Sequence, residues 1–311
     1  PGPELDIENS GISDRERAGD ILLARELLVE IGERLFDNLP AAGLHGILVR
    51  GIGREIANAL ELKYQDPVNR ISIEKYPENK KGVGVKIEDA GACSFISIRS
   101  VGGFDSTARV PIWMRRRIEK CGMRPISLAV DVTNYVMLEL GQPMHAFDAA
   151  KLSGGIHVRH ASAGEQLTLL NGKTRTLDPS FLVIADDAQA LALAGIMGGS
   201  HSAVGDQTRD ILLESAYFDP AVIAGKSRVL GFGSDSSYRY ERGVNFGGSR
   251  EAMERATQLI LSICGGRAGA VTEAAAKLPA RPPVRRGAGR NRFLLGREEP
   301  WSCGFPRGRA A

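Results

Sequence analysis

The chain has 311 residues, 43% of them hydrophobic and 25% charged, enough to bury a real core in one large domain or two smaller ones. It contains no run of about 18 apolar residues, so no helical membrane span is expected, and its four scattered cysteines form no CxxC pair, which favours reduced thiols over disulfides and speaks against a metal site. The net charge of +3 hides an asymmetry: residues 281–311 hold eight Arg against two Glu, leaving the remainder mildly acidic, so a polyanion would have to meet a local basic patch.

The N-terminal PGPELDIENSG has neither the basic start nor the apolar stretch of a secretory signal, and the missing initiator Met suggests a processed or incomplete chain. From Asp14 to Phe36, apolar Ile21, Leu22, Leu27, Leu28, Ile31 and Leu35 recur at three- and four-residue spacing and predict an amphipathic helix. A shorter helix is expected over Gly53–Leu62, and polar Lys63–Gly82, with two prolines, reads as a linker. Strand signals then dominate, at residues 82–89, 93–101, 155–161, 166–170, 181–186, 190–199 and 210–218. Each is short, rich in branched or aromatic residues and bounded by turns such as Asn171-Gly172. Helices are expected over Pro111–Cys121, Asp131–Leu140, Pro220–Leu230 and Ser249–Cys264. The pattern predicts an α+β fold: a β-rich bent sheet or barrel core with flanking helices, preceded by a partial helical segment. The domain boundaries follow as 1–66 helical, 67–81 linker, 82–276 the β-rich domain, and 277–311 disordered or the truncated start of a further domain.

No P-loop, HExxH, GxSxG or Rossmann glycine motif is present. What stands out is polar residues set among apolar ones. Thr133, Asn134, Gln142 and His145 interrupt the otherwise apolar VDVTNYVMLELGQPMHAFD (130–148), and Glu214 interrupts ILLESAYF. A carboxylate there is costly unless it is paired or hydrogen-bonded. Gly195, Gly198 and Gly199 in AGIMGG permit close backbone approach, and Ser234 to Ser237 form a dense polar turn before YRYERG. Ordinary roles compete with these: a packed histidine, a Glu214 salt bridge to Arg239 or Arg242, a glycine turn. Physics alone stops at a β-rich domain with a polar pocket.

The segment DVTNYVMLELGQPMHAFD closely resembles the hallmark stretch of the beta subunit of bacterial phenylalanine–tRNA ligases. Further matches follow in order: GIGREIA (51–57), VPIWMRRRIEKCGMRPIS (110–127), LALAGIMGG (191–199), ILLESAYFDP (211–220) and SDSSYRYERGVN (234–245). The resemblance spans roughly residues 46–280 and implies a tRNA-editing domain that hydrolyses mischarged tyrosyl-tRNA. Carried over by motif, Thr133, Asn134 and His145 become catalytic, and Glu214, Gly198, Ser234 and Ser236 substrate-binding. It further implies no cofactor and no metal for editing, ATP and magnesium for the whole ligase, an alpha-subunit partner in a heterotetramer, tRNA for phenylalanine, and a cytoplasmic setting without a membrane. The alternative is a non-catalytic structural or RNA-contacting module of that ligase. Some positions depart from the family pattern. Val110 replaces Ser, removing an expected helix N-cap worth about 1 kcal/mol, Ser234 and Ser236 replace Thr and Ala, and Asn245 replaces Asp. Residues 1–45 match the family poorly, and the tail's RNRFLLG resembles the start of a next domain before diverging, as in a fragment or a disrupted reading frame.

Overall fold

The computed structural model describes residues 49–59, Lys63, residues 82–276 and Leu278, all within the unit Pro1–Leu278. The helix expected over Asp14–Phe36, most of the linker and the Arg-rich tail lie outside the described residues. The first described element is helix α1 (Val49–Ala59).

Two open sheets carry the β-rich domain. One runs in the order β1 (Val85–Ile87), β4 (Ile156–His160), β7 (Leu182–Ala185), β8 (Ala190–Leu193) and β9 (Met197–Gly198). Its β1–β4 pair is parallel and the rest antiparallel. The other, wholly antiparallel, runs β11 (Arg267–Ala275), β2 (Cys93–Gly102), β10 (Asp210–Phe218) and β3 (Met144–Asp148). A ribbon of β5 (Gln166–Thr168) and β6 (Thr174–Thr176) joins the first sheet through a bridge from Leu169 to Gly199. The fold is α+β as expected, but neither sheet closes, so the barrel alternative is not realised.

Strand β10 explains the layering. Successive side chains point to opposite faces of a sheet. Ile211 and Leu213 pack with the helical layer, whereas Leu212 and Ala216 pack into the core shared with the first sheet. Both faces are covered, and eight of its nine residues are buried, which is why DILLESAYF reads as a nearly continuous apolar run. The helical layer comprises α2 (Ile112–Lys120), α3 (Leu128–Leu140) and α7 (Ser249–Cys264), which contribute Met114, Ile118, Val132, Val136, Ala252 and Ile260 to one cluster.

Several elements differ from expectation. The segment 220–230 is two helices, α4 (Pro220–Ile223) and α5 (Lys226–Leu230), because Gly225 takes φ +79° and breaks the helix between them. The polar turn at 234–237 opens a further helix, α6 (Asp235–Tyr240), with Ser234 as its N-cap and Ser237 completing a capping box. Strands β3 and β11 lack the branched-residue runs that would announce them, and β6 is only three residues long. The N-cap of α2 is Pro111, without a side-chain cap, so position 110 lies one residue outside the helix and the cap loss assigned to Val110 does not apply.

Candidate functional site

Helix α3 ends at Gly141, whose φ of +80° lets its N–H cap the Met137 carbonyl and turns the chain through Gln142 and Pro143 into β3. That turn sets the register. His145 stands directly opposite Glu214 of the neighbouring β10, with Ile98 of β2 on the far side of Glu214. Directly opposed residues share a face, so imidazole and carboxyl both project toward the first sheet, as does Phe147, two residues on, whose ring meets the His145 ring edge-on at 4.6 Å.

His145 sits on an edge strand and keeps some exposure, while Glu214 on the interior strand is 4% exposed. Yet His145 Nε2 and Glu214 Oε1 are both enclosed, and neither has a hydrogen-bond partner. Burial alone displaces both groups toward neutrality. The imidazole is pushed down to about 4 and the carboxyl up to about 8. At neutral pH the pair is therefore a neutral imidazole beside a largely protonated acid. Arg239 and Arg242 do not supply the salt bridge open to Glu214 on sequence grounds: Arg239 binds Asp235 and Arg242 binds Glu241.

The first sheet completes the enclosure. Gly198 of β9 lies so close to His145 that a Cβ there would sit 2.6 Å from Nε2, closer still to Cε1, and 3.1 Å from Leu170 Cδ1. Only glycine fits. Two hydroxyls of the α6 turn hold the preceding chain: Ser234 Oγ donates to the Ile196 carbonyl at 2.6 Å and Ser236 Oγ to that of Gly195 at 2.9 Å.

A family model for the B3/4 domain matches residues 92–265, just over half of the chain and all of the geometry above. The chain belongs to the B3/4 domain family. Its B3/4 domain is similar to proteins named phenylalanine–tRNA ligase beta subunit. The one from Chromobacterium violaceum is 55% identical over 251 residues, covering 80% of this chain and 31% of the relative. That of Nitrosospira multiformis is 51% identical over 255 residues, with the same coverage. The relative from Methylococcus capsulatus is 48% identical over 96% of this chain and 41% of its own length. The chain thus spans about a third of the length of the relatives first matched. An N-terminal fragment of the phenylalanyl-tRNA synthetase beta-subunit from Pyrococcus horikoshii aligns over 75% of this chain and 64% of its own. Its TM-score is 0.44 at 13% identity, too distant to bear on the site.

Within the B3/4 domain, direct juxtaposition joins three of the seven candidate residues, His145, Glu214 and Gly198, while Ser234 and Ser236 reach them through the Ile196 and Gly195 carbonyls of the chain leading to Gly198. Thr133 and Asn134 lie on α3, whose apolar residues pack in the helical layer on the other face of the four-stranded sheet. Thr133 is buried and donates to the Val130 carbonyl of its own helix at 2.8 Å, and Asn134 is half-buried. Their connection to the pair runs through the packing of α3 against β3.

Sequence reasoning missed the polar floor beside Glu214. Buried Gln142 donates from Nε2 to the Ala216 carbonyl at 2.8 Å and to Tyr240 Oη at 3.1 Å, and Tyr240 donates to the Ala216 carbonyl at 3.0 Å. Burial first, and then the nearby Glu214, raise both the Tyr240 phenol and the Cys93 thiol, the latter to about 12. Gln142 was visible as an amide in an apolar run; nothing marked Tyr240 until its contacts were known. An open groove of about 420 Å³ adjoins Ser234, lined also by Ser227, Gly233, Asp235, Ser237, Tyr238 and Glu241, but neither His145 nor Glu214 lines it. Among the described residues, no three His, Cys, Asp or Glu side chains converge as metal ligands, and no helix is long and apolar enough to cross a membrane.

Proposed function

We propose that residues 82–276, which contain the B3/4 match at 92–265, form an editing site that hydrolyses the ester of tRNA mischarged with tyrosine. It would act within a phenylalanine–tRNA ligase beta subunit. The observation that carries this is the opposed pair: a half-buried imidazole and a buried carboxyl on one sheet face, each with an unpartnered polar atom. Buried polar atoms without partners cost free energy in the empty protein, and a ligand that satisfies them recovers it.

The division of labour follows from chemistry. A pocket shaped for phenylalanine rejects tyrosine only weakly, because one added hydroxyl changes little in apolar surroundings. A second site that bonds that hydroxyl discriminates strongly, since phenylalanine leaves its polar group unpaired. Glu214 is assigned to the phenol, and Gly198 to the pocket wall beside His145, where any side chain would collide with the imidazole. His145, neutral down to about pH 4, is a poor general base at pH 7. Its role is to orient the ester and the attacking water, while Thr133 and Asn134 would act on it only through the packing of α3 against β3. Ser234 and Ser236 set the turn that bears Gly198.

The rest of the ligase reaction belongs to the complete protein: attachment of phenylalanine to its tRNA using ATP and magnesium, jointly with an alpha subunit, in the cytoplasm. No step in editing is routed through those cofactors. The test is deacylation of tyrosyl-tRNA by the 311-residue chain, and by a full-length beta subunit carrying it together with alpha. Expected is hydrolysis that His145→Ala lowers by at least about tenfold, the size of one lost polar contact. Undiminished hydrolysis in His145→Ala, or none in the wild-type assembly, would leave the domain as a non-catalytic module.

A further inference from the structure

We propose that the outward face of helix α2, formed by Trp113, Arg116, Arg117 and Lys120, docks the phosphate backbone of RNA and stacks one base on Trp113.

Met114 and Ile118, four residues apart, bury one side of α2 in the helical layer. Trp113, Arg116, Arg117 and Lys120 follow at i, i+3, i+4 and i+7, so they form a single stripe on another side, free of acids. From Arg109 to Arg124 the chain holds six cations and one acid, Glu119, in a protein whose total net charge is only +3. That acid is committed to Arg115, on a different face of the helix. Arg109, Arg116, Lys120 and Arg124 are exposed and make no ion pair among the described residues. Cations left unneutralised by their own protein are what a phosphate backbone requires.

The aromatic member is pre-positioned. Trp113 is 42% exposed, yet its ring meets Tyr135 edge-on at 5.4 Å, and the Arg117 guanidinium lies 5.2 Å from its centroid. Arg117 in turn donates to Tyr135 Oη at 2.8 Å, and Tyr135 donates to Glu139, which Arg255 holds through two hydrogen bonds. An exposed indole fixed in this way is a stacking platform flanked by cations, the combination by which single-stranded or looped RNA is bound without base reading.

The proposal rests on the reading that an aminoacyl-RNA is the substrate. It concerns a different surface, however, and can fail separately, because it is tested by binding of uncharged RNA rather than by hydrolysis. The probe is an uncharged tRNA transcript for phenylalanine, titrated against the 311-residue chain over a salt series. Arg116→Glu with Lys120→Glu is expected to flatten the slope of log affinity against log salt by about 2, one for each lost phosphate contact. Trp113→Ala is expected to weaken binding about five- to a hundredfold with the slope unchanged, and Trp113→Phe to restore most of it. Lys173→Glu, on the ribbon in the other layer, is expected to leave the slope alone. The charged positions are exposed, so these variants should melt as the wild type does. An unchanged slope in the double variant, an equal change in Lys173→Glu, or no RNA binding by the wild type overturns the proposal. So does loss of alpha-subunit co-purification with RNA binding intact, which would assign the face to a protein partner.

Discussion

His145 and Glu214 are direct partners across the β3–β10 ladder, and burial moves their proton affinities in opposite directions, to about 4 and about 8. Both shifts favour neutral forms, so their pH signatures oppose each other. The His145 affinity lies below its unfolded value of 6.5. Its contribution to stability is therefore complete above pH 6.5 and is lost as pH falls toward 4. The Glu214 affinity lies above its unfolded value of 4.5, so its contribution is complete below pH 4.5 and is lost as pH rises through 8.

Replacing Glu214 by Gln removes the alkaline loss while keeping shape and polarity. Between pH 5.5 and 8.5 the wild type is expected to lose about 3 kcal/mol more unfolding free energy than Glu214→Gln, at roughly 1.4 kcal/mol per unit of displaced affinity. Urea titrations at the two pH values measure the difference. Parallel losses in both proteins would mean that Glu214 is solvated or paired in solution.

Selectivity offers an independent check on the same residue. If Glu214 reads the phenol, Glu214→Ala should lower the ratio of tyrosyl to phenylalanyl ester hydrolysis by about ten- to a hundredfold, the worth of one hydrogen bond to a charged or strongly polar group. Total hydrolysis of the phenylalanyl ester should fall less, since His145, the residue assigned to the ester, remains. An unchanged ratio would make Glu214 a structural residue.

The layering of the fold was legible because periodicity reports burial, and β2 and β10 are largely apolar because both their faces are covered. Strand β3 was not legible. Its MHAFD is too short and too mixed to announce a strand, and it forms because the Gly141 turn delivers it to the edge of β10. Strand β11, RAGAVTEAA, is Ala-rich and pairs only with β2, so its strand character comes from its partner rather than its own propensity. At the site, polar residues in apolar runs located His145 and Glu214, and motif resemblance assembled the rest. The Gln142–Tyr240 floor was hidden because its members are 98 residues apart and meet only in three dimensions.

Gly198 tests the closeness of the two sheets. An added methyl would collide with the His145 ring, and Gly198 is buried, so the imidazole or β9 must move. Gly198→Ala is expected to cost about 1–3 kcal/mol in stability, the usual range for overpacking, and to displace the His145 ring. Thermal denaturation together with a pH titration of the His145 imidazole by NMR would register both. A ring titrating near 4, as in the wild type, with unchanged stability would show that the contact is loose.

The two serines at the start of α6 give the last test. Ser236 Oγ donates to the Gly195 carbonyl, and Ser234 Oγ both caps α6 and reaches the Ile196 carbonyl. The first bond cannot form with Ala at 236, so Ser236 gives the turn ahead of Gly198 a tether that alanine would lack. Ser236→Ala should therefore cost only about 1 kcal/mol, the net worth of one neutral hydrogen bond. It should also speed amide exchange at residues 195–198, because opening the turn now breaks one bond fewer. Ser234→Ala should cost about as much again for the lost cap, and it should loosen α6 as well as the turn. Hydrogen exchange separates the two: Ser236→Ala should accelerate the turn alone, Ser234→Ala the turn and the first residues of α6 together. Equal protection of residues 195–198 in the wild type and in Ser236→Ala would mean that the turn is held by the packing of Gly195 against Tyr240 and Phe218 rather than by the serine.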